Sequence, residues 1–470
     1  MYLIEWPTPA ELRTTDGYIA RSTDKVCQLT SPTSNPTPSP LQICIIRVIF
    51  DFTVFVLMLP SLLRFLPQIG RWKPLSFSNS NFPRIPLARN IEEETIPGYV
   101  AARYYPVRIG EVFNERYQVV GKLGYGATST VWLARDMNRC NYVTLKIFIT
   151  STSMGQQLDG EFNMCKRLER GSKSHPGRKA VRMLLDSFDV NGPTDKHRCL
   201  VHPPLWDSIL TFLRRNPIHR LPIPVMATVL KYLLLALDYL HFECKIIHGD
   251  IKSDNIMLGI ADDSVFTHFE ESELQTPSPR KELDNGRIIY ESRQLRMPKN
   301  FAPPVLCDFG SAMPGDVDEH LEDIQPNFYR APEVILEIPW SYSVDIWNAG
   351  CVAWDMFEGE FLFTGHDPEL QTYRSRAHLA EIIGLLGPPP PSLLAQGRLT
   401  SKFFSEEGEF CAGIPLQHPV SLEGRETTLK EQQEDREKFL CLMRKMVQWE
   451  PGKRSSAKEL VQDEWIHAHS

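Results

Sequence analysis

The chain has 470 residues, of which 42% are hydrophobic and 23% charged, enough to bury one large core or two lobes. The formal net charge is -7, so charge alone gives no general attraction to nucleic acid. The 10 Cys form no Cys-x-x-Cys pair, and no His cluster has zinc-ligand spacing. This pattern is typical of reduced thiols in an intracellular protein.

Residues 1–95 differ in composition from the rest of the chain. The Ser/Thr/Pro-rich stretch TSPTSNPTPSPLQ cannot pack a core. A strongly apolar segment follows at 43–66, but Arg47, Asp51 and Pro60 interrupt the run of ~20 apolar residues that a membrane-spanning helix needs. We expect residues 1–95 to be a disordered or targeting extension outside the folded domain, with a membrane anchor through 43–66 as the alternative.

A second alternative for this extension depends on Met58. Between Met58 and Ile91 there is no Asp or Glu, while Arg and Lys are spread among Leu, Phe and Ser. This pattern is typical of a mitochondrial transit peptide, here preceded by additional residues, and equally of a disordered basic tail. We expect a cytoplasmic or nuclear protein, with mitochondrial import from a start near Met58 as the alternative.

A glycine turn opens the next part of the chain. The segment RYQVVGKLGYGATSTVWLARD alternates apolar and polar residues around it, which predicts two strands joined by a tight loop. Gly124 and Gly126 have no Cβ, so the backbone there can approach a phosphate closely. Ser129 replaces the third glycine of the usual pattern. Taken alone, such a hairpin is more often a simple turn than a nucleotide site.

A lysine in the following predicted strand favours a nucleotide site over a simple turn. Lys146 lies inside the apolar run YVTLKIFI, where an unpaired ammonium group would be costly. Its best candidate partner is Glu161, in the predicted helix QQLDGEFNMCKRLE. The spacing of Leu158, Cys165 and Leu168 places Glu161 on the inward face of this helix. We expect the pair, with a solvated Glu161 as the alternative.

Further motifs follow in a fixed order. The loop IIHGDIKSDNIML contains Asp250, Lys252 and Asn255, VLCDFGSA contains Asp308, and APE lies at 331–333. Together with the glycine turn and the expected ion pair, this ordered set resembles the protein kinases much more specifically than any single motif does.

The resemblance implies an α+β, bilobal protein-kinase-like fold. A small β-rich N-lobe would occupy residues 96–204, and a large, mainly helical C-lobe residues 205–468. The C-lobe would carry an insert at 259–304, which is too short to form a second domain.

The resemblance also implies ATP and Mg²⁺ as cofactors, and a role for each motif residue. Lys146 and Glu161 would position the phosphates, Asp250 would accept the proton of the substrate hydroxyl, and Lys252 would neutralise the γ-phosphoryl group. Asn255 and Asp308 would ligate Mg²⁺ through oxygen. The nucleotide-binding residues that it implies are Leu123, Gly124, Gly126, Val131, Lys146, Pro203 and Leu205.

The expected hinge contains two prolines, in HRCLVHPPLWDS. Adenine is held at a kinase hinge by one backbone carbonyl and, two residues later, by one backbone N–H. Pro203 keeps its carbonyl and Leu205 keeps its N–H, whereas Pro204 loses a donor that is not required. His202 would be the gatekeeper at the back of the pocket.

The closer resemblance is to the SR-protein kinase family of the CMGC group, and to its short fungal members. It rests on YYPVRIGEVFNERYQVVGKLGYGATSTVWLARD, IWNAGCVAWDMFEGEFLFTG, AEIIGLLG and KFFSEEGEF, and covers residues 97–467. It implies a monomeric serine/threonine protein kinase that is active without a switch and acts on protein substrates. We expect no direct nucleic-acid contact and no membrane binding.

One departure from that family concerns the substrate. The family resemblance implies an acidic docking groove for Arg-Ser repeats, in and just before the helix AEIIGLLG. Here Arg374, Arg376 and Ala377 stand where acids are expected, and Gly384 stands where a Glu is expected. An Arg-rich peptide would be repelled, so we do not expect processive phosphorylation of Arg-Ser proteins unless Glu381 or acids elsewhere compensate.

A second departure concerns activation. Gly249 replaces the Arg that, in switched kinases, binds a phosphate on the activation loop. Between Asp308 and Glu333 there is no Thr to phosphorylate, so the loss indicates a change of regulation and not of chemistry. The alternative is a pseudokinase scaffold, favoured only by three unusual residues: Ser129, Thr144 and Pro326.

Two further features are interpreted as structural. Asp345 opens the apolar segment DIWNAGCVAWDMF and is expected to cap this helix while holding the catalytic-loop backbone. Glu333 and Arg454 are expected to form a buried salt bridge behind the activation segment.

Overall fold

The structure is a computed structural model that describes residues 70–470, apart from Asp318, Gln417, His418 and the side chains of 156–159. In this part of the chain, a β-rich region is followed by a mainly helical one. This is the bilobal arrangement expected from the motifs.

The small lobe is built on a six-stranded antiparallel sheet with the strand order β1-β2-β3-β4-β6-β5. Lys146 lies in the middle of this sheet, opposite Val131 on one neighbouring strand and Leu200 on the other. Its ammonium group must therefore be neutralised at the sheet surface. The strands are β1 (Val112–Phe113), β2 (Tyr117–Tyr125), β3 (Ser129–Asp136), β4 (Asn141–Thr150), β5 (Asp186–Asn191) and β6 (Lys196–His202).

Two long helices form the centre of the large lobe. Every residue from Val344 to Glu358 is buried in the helix Ser343–Glu358. Within the described residues, one helical segment, Ile223–Cys244, is long and apolar enough to span a membrane, but its leucines pack in the protein core. It consists of the α-helix Ile223–Asp238 and the π-helix Tyr239–Cys244. The α-helices of the described chain are Ser151–Met154, Gln156–Arg170, Ile209–Arg215, Ile223–Asp238, Ser264–Gln275, Pro332–Ile335, Ser343–Glu358, Ser375–Leu386, Pro391–Leu394, Leu422–Arg425, Gln433–Met446, Ala457–Val461 and Glu464–His469.

The insert at 259–304 folds back onto the small lobe. Its helix Ser264–Gln275 places Phe269 so close to Gly121 of β2 that a Cβ on the glycine would lie 2.7 Å from the ring. Tyr290 of the insert belongs to the core of the small lobe. The insert therefore starts in the large lobe and braces the small one. Its two short strands, Arg280–Glu282 and Ile288–Tyr290, form an antiparallel hairpin.

Residues 70–95, here called the N-terminal segment, lie against the sheet and the insert. Trp72 packs on Tyr142 of β4, with ring centroids 5.3 Å apart. The guanidinium carbon of Arg135 lies over the Trp72 ring, 4.5 Å from its centroid. Farther along, the Ile85 N–H donates to the carbonyl of Arg280 in the insert hairpin.

Two buried ion pairs fix the end of this segment. Lys122 of β2, with a side chain only 1% exposed, pairs with Glu93. Lys281 of the insert, 3% exposed, lies 2.9 Å from Glu94. Buried ammonium groups require these carboxylates, because an unpaired buried charge is strongly unfavourable.

The expectation of a disordered or targeting extension is therefore wrong for residues 70–95, which are part of the fold. The acid-poor pattern resembled a transit peptide because the acidic partners lie at its very end, in Glu92, Glu93 and Glu94. The apolar segment 43–66 and Met58 lie outside the described residues, and the location of the protein stays a prediction.

Glu94→Ala tests how strongly the N-terminal segment is attached. Among the described residues, the substitution leaves buried Lys281 with only the Arg89 carbonyl as a partner, so we expect the free energy of unfolding to fall by roughly 3–5 kcal/mol. Urea unfolding of the full chain measures this. The matched control is Glu282→Ala, whose side chain is 41% exposed and lies 3.8 Å from Arg84. Equal stabilities of the two variants would show that the segment contributes little.

Candidate active site

A cavity of about 440 Å³ lies between the sheet and the helical lobe, and many of the predicted site residues lie on its wall. Gly124 is paired across the β2–β3 strands with Val131, which lines the cavity. The predicted residues that line the cavity are Gly126, Val131, Lys146, Glu161, Asn255 and Asp308. The predicted residues that do not line it are Leu123, Gly124, Pro203, Leu205, Asp250 and Lys252.

Lys146 is held between two carboxylates. Its Nζ lies 2.8 Å from Oε1 of Glu161 and 3.2 Å from Oδ1 of Asp308, so the predicted Lys146–Glu161 pair is confirmed. Burial lowers the pKa of Lys146, but the carboxylates of Asp308 and Glu161 outweigh it and raise the pKa above its ordinary value. Lys146 in turn lowers the pKa of Asp308 to about 2. Both groups are charged at neutral pH.

Asp308 also has an unusual backbone. Its φ of 64° lies in the left-handed region, which Asp tolerates better than most residues. The side chain is 48% exposed, and it lines the cavity. Local strain of this kind is often stored at functional sites. Here it accompanies a carboxylate that faces the cavity.

The catalytic loop brings three predicted side chains together. Lys252 Nζ lies 2.9 Å from Oδ2 of Asp250, and Asn255 Nδ2 donates to the backbone carbonyl of Asp250 at 2.8 Å. Because the amide nitrogen of Asn255 is used in this contact, the oxygen Oδ1 is left as an acceptor for a ligand.

The backbone of this loop is fixed by one carboxylate. Asp345, 0% exposed, accepts hydrogen bonds from the N–H groups of His248 and Gly249 at 2.8 and 2.9 Å, and His241 Nε2 lies 2.9 Å away. Burial raises the pKa of Asp345, but the His241 hydrogen bond and the loop N–H groups outweigh it and keep the pKa below its ordinary value. Asp345 therefore holds the loop as an anion, as predicted.

The expected capping role of Asp345 is wrong. Its helix begins at Ser343, with Tyr342 in the capping position and no side-chain capping bond. Asp345 already lies within the first turn, and its oxygens are used by the catalytic loop instead.

Gly249 has a conformational reason to be glycine. Its φ is +69°, and a Cβ would lie 3.3 Å from the carbonyl oxygen of Ser311. Glycine adopts this left-handed conformation without the steric cost that other residues incur.

Comparison with known proteins places this geometry in a family. The family model "Protein kinase domain" matches residues 117–279 and 289–466. The chain belongs to the protein kinase family. A serine/threonine protein kinase of Aspergillus fumigatus is 41% identical over 393 residues, which is 83% of this chain and 94% of that protein.

Two other relatives are named as SR-protein kinases, the family that the sequence motifs resemble. Serine/threonine-protein kinase SRPK of Physarum polycephalum is 30% identical over 402 residues, covering 80% of this chain and 91% of its own. SRSF protein kinase 3 of Homo sapiens is 25% identical over 518 residues, covering 80% of this chain and 90% of its own. The chain is a serine/threonine protein kinase whose relatives include SR-protein kinases.

The kinase anchors its activation segment through a residue that the sequence analysis missed. Gln325 is 4% exposed, and its N–H donates to the Gly249 carbonyl at 3.1 Å. Its Nε2 donates to the Val344 carbonyl and to Asn348 Oδ1 at 2.9 and 3.0 Å, and its Oε1 accepts from the Ala331 N–H at 2.8 Å. The side-chain amide thus connects the activation segment to the helix Ser343–Glu358.

The predicted salt bridge behind this segment is confirmed. Arg454 donates from Nη1 and Nη2 to the two oxygens of Glu333 at 2.6 and 2.7 Å. Both side chains are 0% exposed, so each charge depends on the other for neutralisation.

The glycine-rich loop of the kinase is held by a tyrosine from the preceding segment. The Tyr104 hydroxyl lies 3.1 Å from the Gly126 carbonyl oxygen and 3.0 Å from that of Ala127. Burial raises the pKa of Tyr104 to about 12, so the hydroxyl keeps its proton and can donate. The loop is therefore anchored at its tip, a contact that no sequence motif indicated.

The acids near the expected docking groove are used inside the kinase. Arg376 pairs with Asp367 and Glu369. Glu381 accepts hydrogen bonds from the backbone N–H groups of Thr364 and Gly365 at 2.6 and 3.0 Å. Glu381 therefore does not supply the compensating acid that the sequence left open.

Tyr104→Phe tests the anchor of the glycine-rich loop. Removing the hydroxyl deletes a hydrogen bond worth about 1 kcal/mol, so we expect ATP affinity to fall about fivefold. Direct nucleotide titration measures the change. The matched control is Tyr105→Phe, because the Tyr105 hydroxyl bonds Glu111 at 2.7 Å and not the loop. If both variants bind ATP as the wild type does, the anchor has no role in nucleotide binding.

Proposed function

We propose that this kinase is catalytically active and transfers the γ-phosphoryl group of Mg-ATP to serine or threonine hydroxyls of proteins. The observation that carries this proposal is the position of Lys146 between Glu161 and Asp308. Asp250 and Asn255 are joined to each other in the neighbouring loop. The charged groups that phosphoryl transfer requires are thus present together.

The donor set fits Mg²⁺, which prefers oxygen ligands. The carboxylate of Asp308 stays ionised, since Lys146 lowers its pKa to about 2, and Asn255 offers its amide oxygen. Within the described residues, no group of three or more His, Cys, Asp or Glu could hold a metal by itself. Asn255 and Asp308 would therefore hold Mg²⁺ together with nucleotide phosphates. When bound, Mg²⁺ neutralises the charge that develops on the phosphates.

The nucleotide base would lie at the hinge. Val131 lines the cavity and Leu123 packs against the apolar core beside it. The Pro203 carbonyl and the Leu205 N–H are the two backbone groups offered to adenine, and no acceptor in the described chain is paired with that N–H. Lys146 would then contact the phosphates, because its ammonium group lies on the cavity wall.

Asp250 and Lys252 would act on the reacting groups. Asp250 orients the substrate hydroxyl and accepts its proton, and Lys252, 2.9 Å from it, neutralises charge on the transferred γ-phosphoryl group. Their mutual contact brings a base and a cation side by side in the catalytic loop, which also carries the cavity-lining Asn255. Both are needed at that point, since the hydroxyl loses a proton while the phosphoryl group moves.

Lys146→Met and Asp308→Ala test the proposed activity. The first loses phosphate positioning and the second loses a metal ligand, so we expect phosphate transfer to fall by about a hundredfold to a thousandfold or more. Transfer from radiolabelled ATP to a generic protein substrate and to a peptide library measures this. Lys166→Met is the matched control, because Lys166 is exposed on the helix that carries Glu161.

A wild-type protein that binds ATP but phosphorylates no protein or peptide would establish the scaffold alternative. In that case Ser129, Thr144 and Pro326 would be the residues to revert.

We also propose that the kinase is active without phosphorylation of its activation segment. The Gln325 amide makes the contacts that order this segment, and Gly249 occupies the position of the phosphate-binding Arg. An Arg cluster without its anion repels itself, whereas a neutral amide needs no partner charge. The segment can therefore be ordered in the unmodified protein.

Phosphatase treatment tests this proposal. Protein made in bacteria and treated with phosphatase should keep its full activity. Gln325→Ala should lower activity at least about tenfold, because several buried polar groups lose their partner. Activity towards the generic substrate measures both effects, and Gln396→Ala, an exposed glutamine that bonds the Ser392 carbonyl, is the control.

The same assay includes Gly249→Arg. It should not raise activity, because a side chain at φ +69° is strained. A large loss after phosphatase treatment, restored by an upstream kinase, would show that another site acts as a switch.

The surface around the helix Ser375–Leu386, where the docking groove was expected, bears on the substrate class. We infer a protein serine or threonine substrate, and splicing-related or Arg-Ser proteins fall within that class. However, Arg374 is exposed at the start of the helix Ser375–Leu386, and Arg376 neutralises Asp367. This surface does not favour the docking of long Arg-Ser repeats.

A further inference from the structure

The back of the nucleotide cavity is polar in this kinase. Arg182, His202 and Cys307 line it, and Thr144 of β4 lies directly across the strand register from His202 of β6. Residues directly opposite in antiparallel strands share one face of the sheet, so Thr144 lies next to His202. Small-molecule pockets are mostly apolar, and the few polar groups in them determine which ligand fits.

Arg182 lies at the edge of the proposed hinge. Its Nη2 lies 3.5 Å from the carbonyl oxygen of Pro203, the group that we propose for the amino group of adenine. Its Nε is buried and has no hydrogen-bond partner in the described chain. A guanidinium group carries several N–H donors and no acceptor. The donor-rich end of Arg182 is therefore beside the place where the substituent on C6 of a purine would lie.

His202 and Thr144 add to this wall. His202 Nδ1 lies 3.0 Å from the Met183 carbonyl, which can only accept, so Nδ1 carries the proton and Nε2 is an acceptor in the neutral ring. Burial and the charge of Arg182 lower the pKa of His202 well below its ordinary value, which keeps the ring neutral. The buried Thr144 hydroxyl is unpaired within the residues that the structure describes. Donors and an acceptor are thus present together.

We propose that the polar residues Arg182, His202 and Thr144 allow the site to bind guanine nucleotides as well as adenine nucleotides. Arg182 is the residue that admits a 6-oxopurine. Adenine carries an amino donor on C6, whereas guanine carries an oxo acceptor. At a hinge with a carbonyl alone, the oxo group would face another acceptor and be rejected. Arg182 contacts that carbonyl and supplies the donor that the oxo group needs. The N1–H of guanine would face the Leu205 N–H in the adenine pose, and the acceptor that the cavity offers to it instead is Nε2 of the neutral His202 ring. The inference rests on the proposed nucleotide site.

A different role for Arg182 makes a different prediction. Arg182 lies near Glu161, where burial raises the carboxyl pKa and the positive charges of Lys146 and Arg182 oppose that rise. If Arg182 only balances the carboxylates around Lys146, its removal affects all nucleotides alike. If it contacts the purine, its removal affects guanine nucleotides selectively. The ratio of the two affinities therefore separates the roles.

Titration calorimetry of the full chain with Mg-ADP and with Mg-GDP tests the proposal. We expect the wild type to bind GDP within about tenfold of ADP. Arg182→Val should weaken GDP about tenfold or more, since it removes a charged donor, while ADP affinity stays the same or rises. Arg182→Gln, which keeps one donor group, should lie between the two. Arg139→Val, an exposed arginine in the turn between β3 and β4, should change neither affinity.

The outcomes separate this inference from the proposed kinase function. Wild-type binding of ADP without GDP, or an equal loss of both in Arg182→Val at an unchanged melting temperature, would overturn the inference and leave the kinase function intact. A folded wild type that binds neither nucleotide would overturn both. Transfer from GTP to the generic substrate, lost in Arg182→Val but not in Arg139→Val, would support the inference independently.

Discussion

The carboxylate of Asp345 is the contact on which the active-site geometry depends. It joins the most deeply buried helix, Ser343–Glu358, to the N–H groups of His248 and Gly249. The Gly249 carbonyl then accepts the N–H of Gln325, whose side chain returns to the same helix through Val344 and Asn348. One rigid helix thus positions both the catalytic loop and the activation segment. Because each buried polar group in this circuit has its partner, the circuit resists partial opening.

The charges of the site form a second, more open network. Lys146 contacts two carboxylates at 2.8 and 3.2 Å, and one ammonium group cannot fully neutralise both. Among the described residues, Lys146 is the only side chain that hydrogen-bonds Asp308. Bound Mg²⁺ would take up the charge of Asp308 and leave Lys146 to Glu161 and the phosphates. The network is therefore arranged for ligands that bring positive and negative charge together.

The sequence predicted the parts of this site that follow from charge and motif spacing. An ammonium group in an apolar strand requires an anion, which led from Lys146 to Glu161, and the fixed order of motifs predicted the bilobal fold. Gln325, Tyr104 and Arg182 could not be found in this way, because each acts through a backbone carbonyl or N–H that only the tertiary fold brings near. The packing of residues 70–95 was missed for the same reason. Glu93 pairs with Lys122 and Glu94 with Lys281, and only the tertiary fold brings these residues together.

The remaining freedom of the kinase lies in the helix that carries Glu161. The insert and the N-terminal segment brace the sheet, Tyr104 holds the glycine-rich loop, and Gln325 holds the activation segment. The helix Gln156–Arg170, by contrast, has Gly155 in its capping position and therefore no side-chain cap, and Gly160 within it costs about 1 kcal/mol relative to alanine. Its other end is held by Arg167, which donates to the Cys244 carbonyl at 2.6 Å. A helix fixed at one end and weak at the other can alter the Lys146–Glu161 contact while the rest of the site stays in place. The first turn of this helix is therefore held by fewer contacts than the activation segment, which the Gln325 amide fixes on both sides.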